Sequence, residues 1–338
     1  MIEPFDIRER AEEIERASLS SWATLASETK GRDRHEEPDP IRTAFQQDRD
    51  RLLHAESFGR LAATTHAFVP AHPAPRVRDV APPWRSRLAH TLATSQLART
   101  IARALRLNED LAEAIALGHA VGAPPFGAAG ARALSEVTGG FDIGEQSLRV
   151  VERLARDGRG LNLTWEVRDG ILHQRWRASP TATPEGQTAA LASRIAGGLH
   201  DLVAALRAEV VHLDDVPTGV RTGLGADHGS RMATAVAAVV EASEDSPEIR
   251  LGDAVAGNLD ELEAFLRDEV HGRSEARSEA DRAVHCLQSL AIDLSTNPGR
   301  LPPSLDGADT DQRVVDALAA LTDAEARAAF TGRFVPGR

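Results

Sequence analysis

The sequence predicts an all-α fold, and three observations carry that expectation. Ala and the aliphatic residues dominate a hydrophobic fraction of 42%, while aromatics make up 4% and tyrosine is absent, so the interior must pack with Leu, Val, Ile and Ala. That composition suits helices better than sheets. Apolar residues return at helical intervals in one segment after another. No stretch alternates apolar and polar residues as a half-buried strand does, and no internal repeat is visible. At 338 residues the chain is long enough to bury a sizeable core, in one domain or two. The pattern is simplest as an N-terminal helix and polar arm over residues 1–40 followed by a single helical domain over 41–338.

The first element is a charged helix from Ile7 to about Ala26. The SETKGRDRHEEPDP stretch after it has no hydrophobic period and reads as an arm or linker. From Ile41 the pattern turns helical, with Phe45, Leu52, Leu53 and Phe58 as the recurring apolar positions, until the proline-rich VPAHPAPRVRDVAPPW interrupts it. The strongest helix spans about Arg87 to Leu105 on a stripe of Leu88, Leu92, Leu97, Ile101 and Leu105. Asn108 caps the next, NEDLAEAIALGHA, whose first turn is acidic as the helix dipole favours. Gly122, Pro124, Pro125 and Gly127 then bend the chain into a loop suited to lining a cavity or simply joining helices. Further helices are expected around 145–154, 164–172, 185–211, 231–242, 257–270, 278–294 and 312–321.

A formal charge of −12 argues against a protein that coats nucleic acid, which needs clustered cations. Lys30 is the only lysine, and several arginines fall between Arg42 and Arg87, where they either salt-bridge on the surface or hold a small phosphorylated ligand. The single cysteine, Cys286, excludes an intramolecular disulfide and fits a reducing compartment. The N-terminus is charged from its third residue and no apolar run approaches membrane-spanning length, so the expectation is a cytoplasmic protein without a membrane partner.

Two histidines fall on helices with an apolar face: His90 in RSRLAHTLATSQLARTIARAL and His119 in LNEDLAEAIALGHAVGAPPFG. A lone histidine there is ordinarily a satisfied core or capping residue. These two segments, however, resemble motifs of the HD-superfamily deoxynucleoside triphosphate triphosphohydrolases, often called dGTPases. IRTAFQQDRDRLLHAESFGRL, GGFDIGEQSLRVVE, GLNLTWEVRDGIL, PEGQTAALASRIAGGLHDLVAALRAE and DQRVVDALAALTDAEA also look like family segments in family order, covering roughly residues 10 to 335. The resemblance implies an HD-domain helical globule of the dGTPase type. It also implies hydrolysis of a deoxynucleoside triphosphate to deoxynucleoside and triphosphate at a metal held by two histidines and two aspartates.

Matched position by position, His90 and His119 stand as the first two ligands, but Ala120 and Ser193 replace the two expected aspartates. Ala123, Ala128, Ala131, Ile143 and Gly144 stand where the family is expected to carry His, His, Glu, His and Asn, and Gly197 replaces a tyrosine expected against the sugar. No catalytic set is intact on this reading, and hard ions such as Mn or Mg lose the carboxylate oxygens they favour. Among the residues that still match are Asp48, Asn162, Asp169 and Glu185; Arg42, Arg49, Arg60, Arg85, Arg87 and Asp201 are the candidates for nucleotide contact, while two expected lysines are Ala62 and Thr64.

The expectation is therefore a dGTPase-like protein with a degenerate metal site. It would act without catalysis as a scaffold or regulatory subunit, in a homo-oligomer or with an active paralogue. Two alternatives stand beside it: a sensor that binds a nucleotide or metabolite in a remodelled pocket, and a residual metal-dependent triphosphohydrolase. No cofactor is expected, save weakly bound Mn or Mg in the residually active case.

Overall fold

The computed structural model describes residues 6–66, 85–175 and 180–336, so the proline-rich crossing lies outside the described residues. Among these residues there is no strand, only two isolated bridges, Arg32–Thr164 and Thr65–Ser86. The α-helices are α1 (Asp6–Ser18), α2 (Ala44–Leu53), α3 (Glu56–Arg60), α4 (Arg87–Ala104), α5 (Glu109–Gly118), α6 (Gly127–Thr138) and α7 (Ile143–Arg149). They continue as α8 (Trp165–Leu172), α9 (Pro184–Arg207), α10 (His228–Ser243), α11 (Asp253–Phe265), α12 (Ser274–Thr296), α13 (Thr310–Ala319) and α14 (Asp323–Phe334). The all-α expectation holds.

Local chemistry starts each of the three helices that matter most. The Ser86 hydroxyl accepts from Ala89 N–H (3.2 Å) at the head of α4, and Asn108 Oδ1 accepts from Leu111 N–H (3.2 Å) at the head of α5. Thr183 Oγ1 accepts from Gly186 N–H (3.0 Å), with Pro184 in the first position of α9, where its missing N–H costs nothing. These three helices pack on one another at the centre of the molecule. Leu97, Ile101, Leu111, Ile115, Leu191, Ile195 and Leu199 fill the space between them.

The buried hydrophobic residues form two clusters. The larger draws on α2 to α5 and α8 to α11; the smaller joins Phe126, Ala133 and Leu134 of the α6 region to Leu287, Leu290, Val314 and Leu318 of α12 and α13. By length and composition α9 is long and apolar enough to cross a membrane, which the sequence reading did not anticipate, but 61% of its most apolar window is buried inside the protein, as in a core helix.

Several elements differ from expectation. The first helix ends at Ser18, well before Ala26. The polar stretch after it is no free linker: Glu185 Oε1 and Oε2 accept from Thr24 N–H (2.9 Å) and Thr24 O–H (2.8 Å), and Glu166 accepts from Thr29 O–H and Lys30 N–H (2.7 Å each). Buried carboxylates thus satisfy a backbone that has no apolar period to reveal it. Leu53 and Leu92 face solvent, and the inward face of α4 carries His90, Thr91 and Thr94 beside its apolar residues. Helices α6 and α14 were not expected, because small residues dominate both and blur the apolar stripe.

Candidate functional site

The C-terminal end of α5, the first half of α4 and the middle of α9 converge. His90 (α4), His119 (just past α5) and His200 (α9) are all buried there. His90 Nδ1 lies 3.0 Å from His200 Nδ1, so one ring donates and the other accepts. The His90 and His119 ring centroids are 6.1 Å apart, edge to face. His66 stacks on His90 with centroids 3.5 Å apart, and His228, the first residue of α10, lies 5.6 Å from His200. His119 Nδ1–H donates to the Ala116 carbonyl, which leaves Nε2 as the atom with the lone pair.

The loop after His119 is held by close backbone approach. The Ser147 hydroxyl donates to the His119 carbonyl (3.3 Å) and accepts from Gly122 N–H (3.0 Å). A Cβ on Gly122 would strike the backbone of Gln146 and Ser147, so only glycine fits. Phe126 takes a left-handed conformation (φ 64°), its N–H donating to Asp323 Oδ1 (2.9 Å).

Burial holds all these imidazoles neutral. It pushes the pKa of His119 down to about 4 and that of His200 down to about 3, and those of His66 and His90 fall well below the usual histidine range. The neighbouring Arg87 guanidinium adds to the effect on His66, His90 and His119. Arg87 itself is lowered to about 10 by burial, with repulsion from Arg60 second.

The structure brings His90, His119 and Arg87 together, with Arg60 and Asp201 close enough to act on Arg87 electrostatically. Ala120 is packed in the core at 1% exposure. Ser193 lines a separate hollow of about 450 Å³ with Gln174, Arg175, Ala190, Arg194, Asp260 and Glu263. Asp201 lies 3.6 Å from His271. Arg42 is paired with Asp39 (2.7 Å) and Asp50 (2.9 Å), and Arg49 with Asp110 (2.6 Å), in the first turn of α5. Nine residues of helix separate Asp110 from His119, roughly 13 Å. Arg60 donates to the carbonyls of Val121 (2.7 Å), Ala123 (3.1 Å) and Leu321 (3.3 Å), bracing the loop after His119. Arg85 is half-buried, close enough to lower His200 electrostatically.

Asp48, Asn162 and Glu185 anchor the N-terminal arm, through Arg32, Arg34 and Thr24. Sequence reasoning passed over His66, His200 and His228. The helical spacing of His200 three positions after Gly197 was the available signal for one of them.

Among the described residues no group of three or more His, Cys, Asp or Glu side chains is arranged to hold a metal ion. The donor set at His90 and His119 is nitrogen alone, which does not fit a hard ion that prefers carboxylate oxygens.

Residues 87–197 match the family model of the HD domain, and residues 249–331 match that of the phosphohydrolase-associated domain. A relative from Caldanaerobacter subterraneus subsp. tengcongensis is 39% identical over 335 residues, 98% of this chain and 96% of its own length. One from Desulfatibacillum aliphaticivorans is 38% identical over 359 residues, and one from Clostridium perfringens (strain SM101 / Type A) 35% identical over 343, each covering 98% of both chains. All three are named deoxyguanosinetriphosphate triphosphohydrolase-like proteins. Matched along nearly its whole length, with its paired histidines on the expected helices, this chain belongs to the HD-domain family of deoxyguanosinetriphosphate triphosphohydrolase-like proteins.

Proposed function

We propose that this protein is a family member in which metal-dependent hydrolysis has been lost or greatly weakened, and that it acts as a scaffold or regulatory subunit, with itself or beside an active relative. The observation that carries this reading is the donor set: among the described residues His90 and His119 belong to no group of three or more side chains arranged to hold a metal, and the two matched positions are Ala120 and Ser193. Two imidazoles neither neutralise a hard dication nor supply the oxygen ligands it favours. The sequence of the family, by contrast, is kept along nearly the whole chain, and the fold is all-α. Association needs the fold and not the metal, and so agrees with what has been kept.

The competing reading, a metal-dependent triphosphohydrolase that releases deoxynucleoside and triphosphate, draws on the names of the relatives. One assay decides between them. Triphosphate release from dGTP and other dNTPs in Mn or Mg should stay at the level of a His90→Ala, His119→Ala double variant. Metal-dependent release abolished in that variant would overturn the proposal. Light scattering after size exclusion, with pull-down of an active relative, tests the second half, and a monomer indifferent to such a hydrolase would sink it.

A further inference from the structure

We infer that this chain associates head to tail, the groove between α12 and α14 of one copy receiving the acidic turn around Leu213 of a second copy. This deepens the reading above, rests on it for self-association, and names the two surfaces that meet.

The first observation is the groove. It has a volume of about 830 Å³ and runs along one face of α12, where Ser274, Arg277, Ser278, Asp281, Arg282 and His285 recur at intervals of three and four. That face is about 17 Å long at the rise of an α-helix. Arg327, Phe330 and Thr331 of α14 form the other side, and the buried Cys286 lines the groove between them. Phe334, with its ring centroid 5.1 Å from that of Phe330, is 43% exposed and extends the apolar surface beyond the groove. Contiguous apolar surface rimmed by polar residues is characteristic of a protein interaction site.

The rim is positive on a chain whose formal charge is −12. Three arginines line the groove against one carboxylate, and that carboxylate, Asp281, is engaged by Arg132 (2.6 Å). Arg282 is paired with Glu279, Arg327 lies over the Phe126 ring at 5.5 Å from its centroid, and Arg277 has no ion pair among the described residues. An apolar anchor carried beside carboxylates complements such a surface in both shape and charge.

The second observation is that the chain presents such an anchor itself. Leu213, in the connection between α9 and α10, is 47% exposed and is followed by Asp214 and Asp215. Residues 212–215 are all exposed, and Asp215 accepts from His212 N–H (2.8 Å), so the turn is closed before a partner arrives. A pre-formed turn loses little conformational freedom on docking. Asp214 has a side chain 98% exposed beside Arg221 (3.2 Å), a solvated pair that contributes little and leaves the carboxylate open to a partner's arginine. The exposed stripe of Ile7 and Ile14 on α1 is the rival occupant, but it carries the exposed Arg10 beside it, a charge of the groove's own sign. Because turn and groove are different patches, the contact is heterologous: each added copy leaves one free turn and one free groove until a ring closes.

The test is sedimentation velocity on the full-length protein over a wide range of concentration. Self-association is expected, weakened about tenfold or more in Leu213→Asp and in the Arg277→Glu, Arg282→Glu double variant. All three positions are exposed, so the fold should survive, which circular dichroism checks. Mixing the two variants gives the sharper result. One keeps its groove and the other its turn, so a single contact survives and the mixture should stop at a 1:1 complex; absence of that complex overturns the inference. Cys286, the only cysteine, reports on the groove independently: its reaction with a maleimide should slow as the wild type is concentrated and stay constant in Leu213→Asp. Self-association that neither variant weakens, or that Ile14→Asp removes instead, overturns the inference and leaves the proposed function standing. A protein that binds an active relative through the groove and never itself overturns the assignment to a second copy. A monomer indifferent to both overturns the inference and the scaffold reading together.

Discussion

His119 shows how burial rather than sequence sets a residue's chemistry. Its folded-state pKa is about 4, while an unfolded histidine titrates near its ordinary value of 6.5. Between those values the unfolded chain binds more protons than the folded one, so stability is full above about pH 6.5 and falls as pH drops towards 4. His119 alone supplies on the order of 3 kcal/mol of that loss. Thermal denaturation from pH 8 to 4 should show the decline beginning near 6.5, and His119→Gln should flatten it; a profile unchanged by that substitution would refute the assignment. Ala120 gives a second test at this scale. A carboxylate at its 1% exposed position is stripped of water, so Ala120→Asp should cost about 2–4 kcal/mol in EDTA. Mn should restore part of the loss in the variant and leave the wild type unmoved. An equal Mn shift in both would mean that the native donors already hold the ion.

Helix ends and their anchors decide more than helix interiors do. Glu185, in the first turn of α9, accepts from Thr24 N–H, Thr24 O–H and Asn108 N–H (3.0 Å), tying the arm and the head of α5 to one carboxylate. Burial raises its pKa even though three donors favour the ionised form. Glu185→Ala strands those donors and should cost about 2–4 kcal/mol. Hydrogen exchange should locate the loosening at residues 20–30 and at the start of α5. Exchange confined to α9 would show that the arm is held by Glu166 and Asp48 instead. Glu185 and Asp48 were visible in the sequence as family matches, but nothing in their spacing distinguished an anchor from a ligand contact. Helix α4 teaches a related point: its leucine stripe located the helix correctly, yet Leu92 faces solvent while Thr91 and Thr94 are buried. Where a helix borders a polar site, its inward face is chosen by the neighbours.

In the whole molecule, two hydrophobic clusters share the load. Leu287 is fully buried in the smaller one, and Leu287→Ala should cost roughly 2–5 kcal/mol. A chemical-denaturation curve would register that as a lower midpoint at an unchanged slope if both clusters unfold together; a biphasic curve would show that they do not. The all-α class, most helix positions, the cap at Asn108 and the family itself were legible in the sequence, because helical periodicity and capping are local and the family's motifs are contiguous words. Also legible was the replacement of both expected aspartates by Ala120 and Ser193. Only the tertiary structure gathered His66, His90, His119 and His200 into one cluster, gave Arg42, Arg49 and Arg60 to structural contacts, and buried Arg87 beside the histidines. Those outcomes depend on which faces of α4, α5 and α9 meet, and on how far burial strips water from the charges between them. Such properties arise from packing between segments far apart in the chain, and no local pattern encodes them.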